Sequence, residues 1–229
     1  MSRSFLIVAL LCTALVFYPV KKGFTYVPAD NDEPIELKEA YETLLFHKLQ
    51  SVQNLIDFVD RTYKGNKNSI EFVNYIGKVI SRRFHHGYSH YSSDDNWIAS
   101  MAGNIFWKNL SAIVIPDDIM KHPVAACSQQ CIIMMACATH FGFDVRKVTF
   151  DHHFTTEVKV RNKWHYLDPN LEVIPLNSSL QELLDSNTFL KLYENKLGVA
   201  GAKYVLAHPK FGATNEQVAR KARYFHEIT

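Results

Sequence analysis

Apolar positions along this chain of 229 residues follow one period up to about residue 142 and another after it. Upstream, spacings of three and four dominate, as on one face of a helix. Leu37, Tyr41, Leu44, Leu45, Leu49, Val52, Leu55, Ile56 and Val59 predict one long helix or two abutting ones, ended by Lys64-Gly65-Asn66. Ile70, Val73, Ile76, Val79 and Ile80 predict a second helix from Ser69 to about Phe84, and Trp97 to Leu110 resumes the pattern. Ile113 to Pro116 reads as extended, leading into Asp117-Asp118 as the cap of one helical turn. From about Ala125 to Phe141 the chain is apolar on nearly every side, with Pro123 before it and Gly142 after it, so a buried helix of roughly four turns is expected.

Beyond Gly142 the period falls to two. Strands are expected from Phe143 to Phe150, from His153 to Val160, and from Trp164 to Asp168, with a tight turn at about Lys163. Leu171 to Leu176 extends the strand pattern, and Ser178 caps a helix through Asp185. Phe189 to Leu197 predicts a short helix, Gly198 to Gly212 a loop, and Asn215 to His226 a basic terminal helix. Helices followed by a small antiparallel sheet make this an α+β chain with extra N-terminal helices.

Composition adds size and partner class. With 47% hydrophobic and 21% charged residues the chain holds material for one well-packed domain over 35–229 and a short appendage. The formal charge of +2, with Lys and Arg dispersed among acids, gives no basis for nucleic-acid binding. The appendage is residues 1–22: Arg3, an uncharged apolar run from Phe5 to Val20, then Lys21-Lys22. Sixteen helical residues rise about 24 Å against a hydrocarbon core of roughly 30 Å, so the segment reads as a short signal anchor or a signal peptide. It predicts a membrane-anchored or secreted protein with its domain outside the cytoplasm, joined through a Pro- and Asp-containing linker at 23–34.

Candidate chemistry gathers where the period changes. Cys127 falls in the first turn of the central helix, where the helix dipole favours an anion by about 0.3–1 kcal/mol. That is under one pKa unit, so a thiol of ordinary pKa about 8.5 needs a cationic partner to become a nucleophile. His153 at the start of one strand and Asp168 at the end of the next supply a base and a group to orient it. Gln129 and Gln130, just inside the helix start, are candidates to contact substrate. Cys131 and Cys137 read as small core hydrophobes, and three cysteines on one helix do not form a disulfide scaffold. A zinc site of Cys127, Cys131 and His140 fails because His140 lies about 220° around the helix from Cys127, and no metal is expected. His85, His86 and His90 read as part of a polar surface loop.

Cys127, Cys131, Gly142 before a strand, His153 with Glu157-Val158, Trp164 and Asp168-Pro169 together resemble the core motif of the transglutaminase-like superfamily, and the CSQQ opening resembles a bacterial branch. The match covers about 45 residues within a core of 110–176. The resemblance implies a papain-like arrangement: a cysteine-bearing helix packed on a small antiparallel sheet that carries the histidine and the aspartate. It implies a Cys127, His153, Asp168 triad that makes an acyl-enzyme from a peptide or other amide or acyl substrate, with no cofactor. By analogy with the family's upstream tryptophan, Trp107 is a candidate to shape the acyl pocket or oxyanion hole. Arg146 reads as a structural ion partner, and the Cys127 backbone N–H as an oxyanion donor. A non-catalytic binding or assembly module of an envelope system is the competing reading.

Overall fold

Ser51 and Ser69 open two of the first helices by accepting the backbone N–H groups of Asn54 and Phe72. The structure, a computed structural model, describes residues 40–150, 153–172, 177–206 and 223–225. The N-terminal apolar run and the linker lie outside the described residues, and among these no helix is long and apolar enough to cross a membrane. The described residues fall into two compact units, 90–112 and the remainder.

In the larger unit, α1 (Thr43–Lys48), α2 (Val52–Thr62) and α3 (Ile70–Arg83) precede a two-residue strand, β1 (His85–His86). The first helical pattern is two helices, not one, because the Ser51 cap starts a new helix after the break at Leu49. Arg83, at the end of α3, is buried and ties three segments together. Its guanidinium donates to the carbonyls of Leu49 (3.0 Å) and His122 (2.8 Å) and to that of Met120, and it lies over the rings of Phe46 and Phe84.

One helical turn, α5 (Pro116–Ile119), and a second short strand, β2 (Val124–Ala125), lead into α6 (Cys127–His140). This central helix is buried on most sides, as its all-round apolar sequence requires, and packs on α2, α3 and the sheet. Gly142, at φ +82°, ends it. The sheet has the order β5-β4-β3-β6 and is antiparallel throughout: β3 (Asp144–Thr149), β4 (Phe154–Val160), β5 (Lys163–Leu167) and β6 (Arg223–Phe225). The β4–β5 turn is Arg161-Asn162, both at positive φ, which is the two-residue hairpin geometry that suits twisted strands. Strand β4 is buried along most of its length and does not alternate simply between core and solvent. Val148, Phe150 and Tyr166 form a core cluster with α7 (Leu180–Asp185) and α8 (Phe189–Leu206).

Three expectations fail here. Residues 199–206 are helical: the chain breaks at Gly198 (φ +73°) but re-enters a helix because Ala202 and Leu206 are needed in the core. Arg223 to Phe225 form a strand on the edge of β3, since a free sheet edge outcompetes a helix end of modest propensity. Leu171 and Glu172 are in a turn, with Glu172 at φ +52°, while 173–176 lie outside the described residues.

The smaller unit is a hairpin of α4 (Ser93–Ile105) and a 3-10 turn (Lys108–Ser111), opened by a capping box of Ser92 and Asp95. Gly103 makes its close packing feasible, since a Cβ there would stand 2.7 Å from the Ser111 Cβ.

Candidate active site

The β3–β4 hairpin and the start of α6 hold the central groups. The Phe150 N–H donates to the His153 carbonyl at 2.8 Å, fixing His153 one residue ahead of β4. In the register of β4 and β5 Thr156 pairs with Leu167, so Thr155 stands opposite Asp168, and His153 is its diagonal neighbour on the same side of the sheet. The two expected partners are thus not opposite one another, yet the imidazole spans the diagonal: His153 Nε2 lies 2.5 Å from Asp168 Oδ2. That leaves Nδ1 for the Cys127 thiol, with which the His153 side chain also hydrogen-bonds. Cys127, His153 and Asp168 are all buried.

Asp168 is held on every side. Its Oδ1 accepts the N–H groups of Asn170 (3.0 Å) and Leu171 (3.2 Å), and its Oδ2 accepts the Tyr193 hydroxyl (2.8 Å) as well as His153. Tyr193 uses its single proton on Asp168, so Tyr166 donates to Tyr193. Burial, then the Asp168 charge, raises both phenols well above the usual tyrosine value, so the relay stays neutral.

The electrostatics favour a charged pair. Burial pushes the Cys127 thiol up, but the hydrogen bond and charge of His153, the charge of His86 and the Phe154 N–H outweigh it and leave the thiol lowered. Burial pushes His153 down, but the Asp168 charge and hydrogen bond, with the Cys127 contacts, bring it up to about 10. The other cysteines go the opposite way: burial, then the charges of Cys127 and Asp168, push Cys131 well up, and burial alone pushes Cys137 to about 12. Only Cys127, of these three, has the environment of a nucleophile. Ala126 provides no side-chain cap to α6, so the helix start offers N–H donors beside the sulfur.

The chain matches no family model, no curated protein and no solved structure.

The remaining candidates separate. Gln129 is buried and fully engaged: its Oε1 accepts from Ser89 N (3.1 Å) and Ala126 N (3.0 Å), and its Nε2 donates to Ser89 O (2.9 Å) and Ile113 O (2.8 Å). It pins the segment at Ser89 to the helix start and has no group left to contact substrate, contrary to expectation. Gln130 donates to Ala125 O (3.0 Å) and to Asn170 Oδ1 (2.9 Å), so it ties the helix to the turn after Asp168. Trp107 belongs to the smaller unit, caps the 3-10 turn and is 62% exposed; Ile98, Ile105 and Phe106 of that unit are also exposed. Arg146 pairs with buried Glu157 (2.8 Å from Nε) and stacks on Trp164, while Glu157 Oε1 accepts the Leu180 N–H at 2.7 Å.

The sequence reading missed His86 and Asn170. The expected surface loop is instead β1, whose His85 and His86 pair in parallel with Val124 and Ala125 of β2. His86 Nδ1 lies 2.8 Å from Asn170 Oδ1. Period-based reading cannot see a two-residue strand, and the only available signal was Asn170 following Asp168-Pro169. Among the described residues no group of three or more His, Cys, Asp or Glu could hold a metal ion.

Proposed function

We propose that this chain is a thiol-nucleophile amide hydrolase or acyltransferase with a papain- or transglutaminase-like core, in which Cys127, His153 and Asp168 are the triad. The observation that carries the reading is the continuous buried path from Asp168 Oδ2 through His153 to Cys127, with the thiol lowered and the imidazole raised. In the proposed reaction the Cys127 thiolate attacks an acyl carbonyl carbon and a C–S bond forms. The carbonyl oxygen takes the negative charge, facing the N–H groups at the start of α6. His153 then gives its proton to the leaving amine, the C–N bond breaks, and a thioester remains. Water or an amine attacks the thioester, loses a proton to His153, and the thiolate leaves with its electron pair. Asp168 keeps the ring oriented and the imidazolium stabilised throughout. Hydrolysis is the favoured outcome, since water is the ever-present acceptor. The apolar run at 5–20 supports a membrane-tethered or exported location for peptide or acyl substrates.

The test is direct. The full chain is mixed with 4-nitrophenyl acetate, and acetylated peptides are mapped by mass spectrometry. Acetyl label on Cys127 that vanishes in His153→Ala supports the reading. Label spread over Cys131 and Cys137, or label on Cys127 that is indifferent to His153, sinks it.

A further inference from the structure

The unit of residues 90–112 carries a surface that the proposed chemistry does not use. Of the eleven large hydrophobic side chains exposed among the described residues, six lie between Trp97 and Leu110, a concentration that marks an interaction surface. Four of them, Ile105, Phe106, Trp107 and Leu110, stand at the tip of the hairpin, where α4 gives way to the 3-10 turn. Gly103 and Ser111 meet too closely for a large side chain to lie between them, so the tip residues are turned outward. The backbone of the tip closes on itself. Ala102 O accepts the N–H groups of Phe106 (2.9 Å) and Trp107 (3.4 Å), and Trp107 O accepts that of Leu110 (2.9 Å). Lys108 O accepts the Ser111 hydroxyl (2.7 Å), and Asn109 O accepts the Ala112 N–H (3.1 Å). Peptide groups paired in this way leave water at little cost. Charge is sparse as well: from Asn96 to Pro116 the only charged side chain is Lys108.

We propose that this tip inserts into the interfacial layer of an anionic phospholipid bilayer, giving the chain a second hold on the membrane besides residues 5–20. The inference rests on the reading of 5–20 as a membrane segment. Tryptophan settles at the headgroup level, with phenylalanine and isoleucine beside it reaching the acyl boundary. The one charge of the stretch, Lys108, has the sign that anionic headgroups attract, while Asp94 and Asp95 lie at the other end of α4. The helical run from Trp97 to Ile105 rises about 12 Å, more than the depth of about 5–10 Å to which interfacial elements sink, so a hairpin standing on its tip keeps both acids in water. The tether suits the arrangement. The 19 residues from Lys21 to Glu39 span at most about 65 Å, so a bilayer that holds 5–20 stays within reach of the hairpin at high effective concentration.

Tryptophan emission tests the tip separately from the anchor, because residues 1–39 contain no tryptophan. The full chain is reconstituted into vesicles of phosphatidylcholine and phosphatidylglycerol, with plain or brominated acyl chains, and recovered by flotation; bromine quenches tryptophan on contact. Roughly a third of the wild-type emission is expected to be lost in brominated vesicles, since Trp107 is one of three tryptophans. Trp107→Phe is expected to cut that loss about twofold or more, and Trp97→Phe, at the far end of α4, to retain it. Phe106→Asp changes a side chain that is 78% exposed and leaves Trp107 as reporter; its carboxylate opposes insertion, so quenching is again expected to fall about twofold or more. A protein that floats but is quenched equally in wild type and Trp107→Phe overturns the proposal, since 5–20 then holds the membrane alone. Emission from Trp107 that is blue-shifted yet unquenched also overturns it and marks 5–20 or a second copy of the chain as the cover of the tip. Equal losses of quenching in Trp97→Phe and Trp107→Phe overturn insertion by the tip. Failure of the membrane reading looks different: the chain then floats with neither kind of vesicle, and the proposal falls with it.

Discussion

Replacing His153 by alanine removes the hydrogen bond and charge that lower Cys127 but leaves the burial that raises it. The variant thiol then titrates at or above the ordinary value of about 8.5, so at pH 6 about 0.3% of it is thiolate. The start of α6 does not rescue it, since the dipole contributes less than one pKa unit. In the wild type the thiolate–imidazolium pair is present above the lowered pKa of Cys127 and disappears as pH rises through about 10, where His153 loses its proton. The wild-type thiol, lowered by His153, holds a larger thiolate fraction than the variant at pH 6, although a lowered thiol is also intrinsically less nucleophilic. Alkylation at pH 6 is then expected to be faster in the wild type, by at most about 300-fold for a variant thiol at about 8.5, and the advantage shrinks as pH rises toward the range where the variant thiol ionises. The assay is iodoacetamide labelling of the full chain across pH 5.5 to 9, followed by peptide mapping so that Cys12, Cys131 and Cys137 are scored separately. Parallel pH profiles for wild type and variant refute the reasoning, as does a wild-type rate that climbs tenfold per pH unit up to 8.5.

Three further outcomes follow from the buried network. Tyr193→Phe removes one donor to Asp168 and strands the Tyr166 hydroxyl, so stability falls by about 2 kcal/mol and alkylation at pH 6 slows severalfold; urea unfolding and labelling that both match wild type would remove Tyr193 from the relay. Gln129→Ala leaves three buried backbone groups, Ser89 N, Ala126 N and Ile113 O, without their side-chain partner, while Ser89 O keeps the Ile113 N–H, and is expected to cost about 3 kcal/mol in urea unfolding; a loss below about 1 kcal/mol contradicts its role as a pin. Arg83→Met keeps the apolar stem but abandons the carbonyls of Leu49, Met120 and His122, so a loss of about 3 kcal/mol is expected with Cys127 labelling retained in the folded protein. An unchanged midpoint in denaturant would show that those carbonyls find other partners.

The local elements were legible because they are written in neighbouring residues. The all-round apolar stretch after Pro123 specifies a buried helix, and Gly142 specifies its end, as Ser69 specifies the start of α3. Alternation after Gly142 likewise specifies three strands, and with them the order in which Cys127, His153 and Asp168 are presented. What the pattern did not hold is anything decided by pairing between distant segments. The β1–β2 pair is two residues long, too short for any period, and exists only because the chain at His85 meets the chain at Val124. His86 and Asn170 reach the site through that meeting, so their roles were invisible to spacing. Gln129 illustrates the same limit in reverse: its polar side chain at a helix start suggests a substrate contact, and only the tertiary fold brings Ser89 and Ile113 to occupy it. Helix propensity was overruled at Arg223 to Phe225 by the open edge of β3, and a glycine at 198 that ends a helix locally was overruled by the burial of Ala202 and Leu206. Sequence alone thus determined the central helix, the three strands after it and the order in which they carry Cys127, His153 and Asp168, since those are short-range choices of period, cap and breaker. Tertiary structure decided which polar groups meet, because a hydrogen bond between residues 40 or 84 positions apart depends on the path of everything between them.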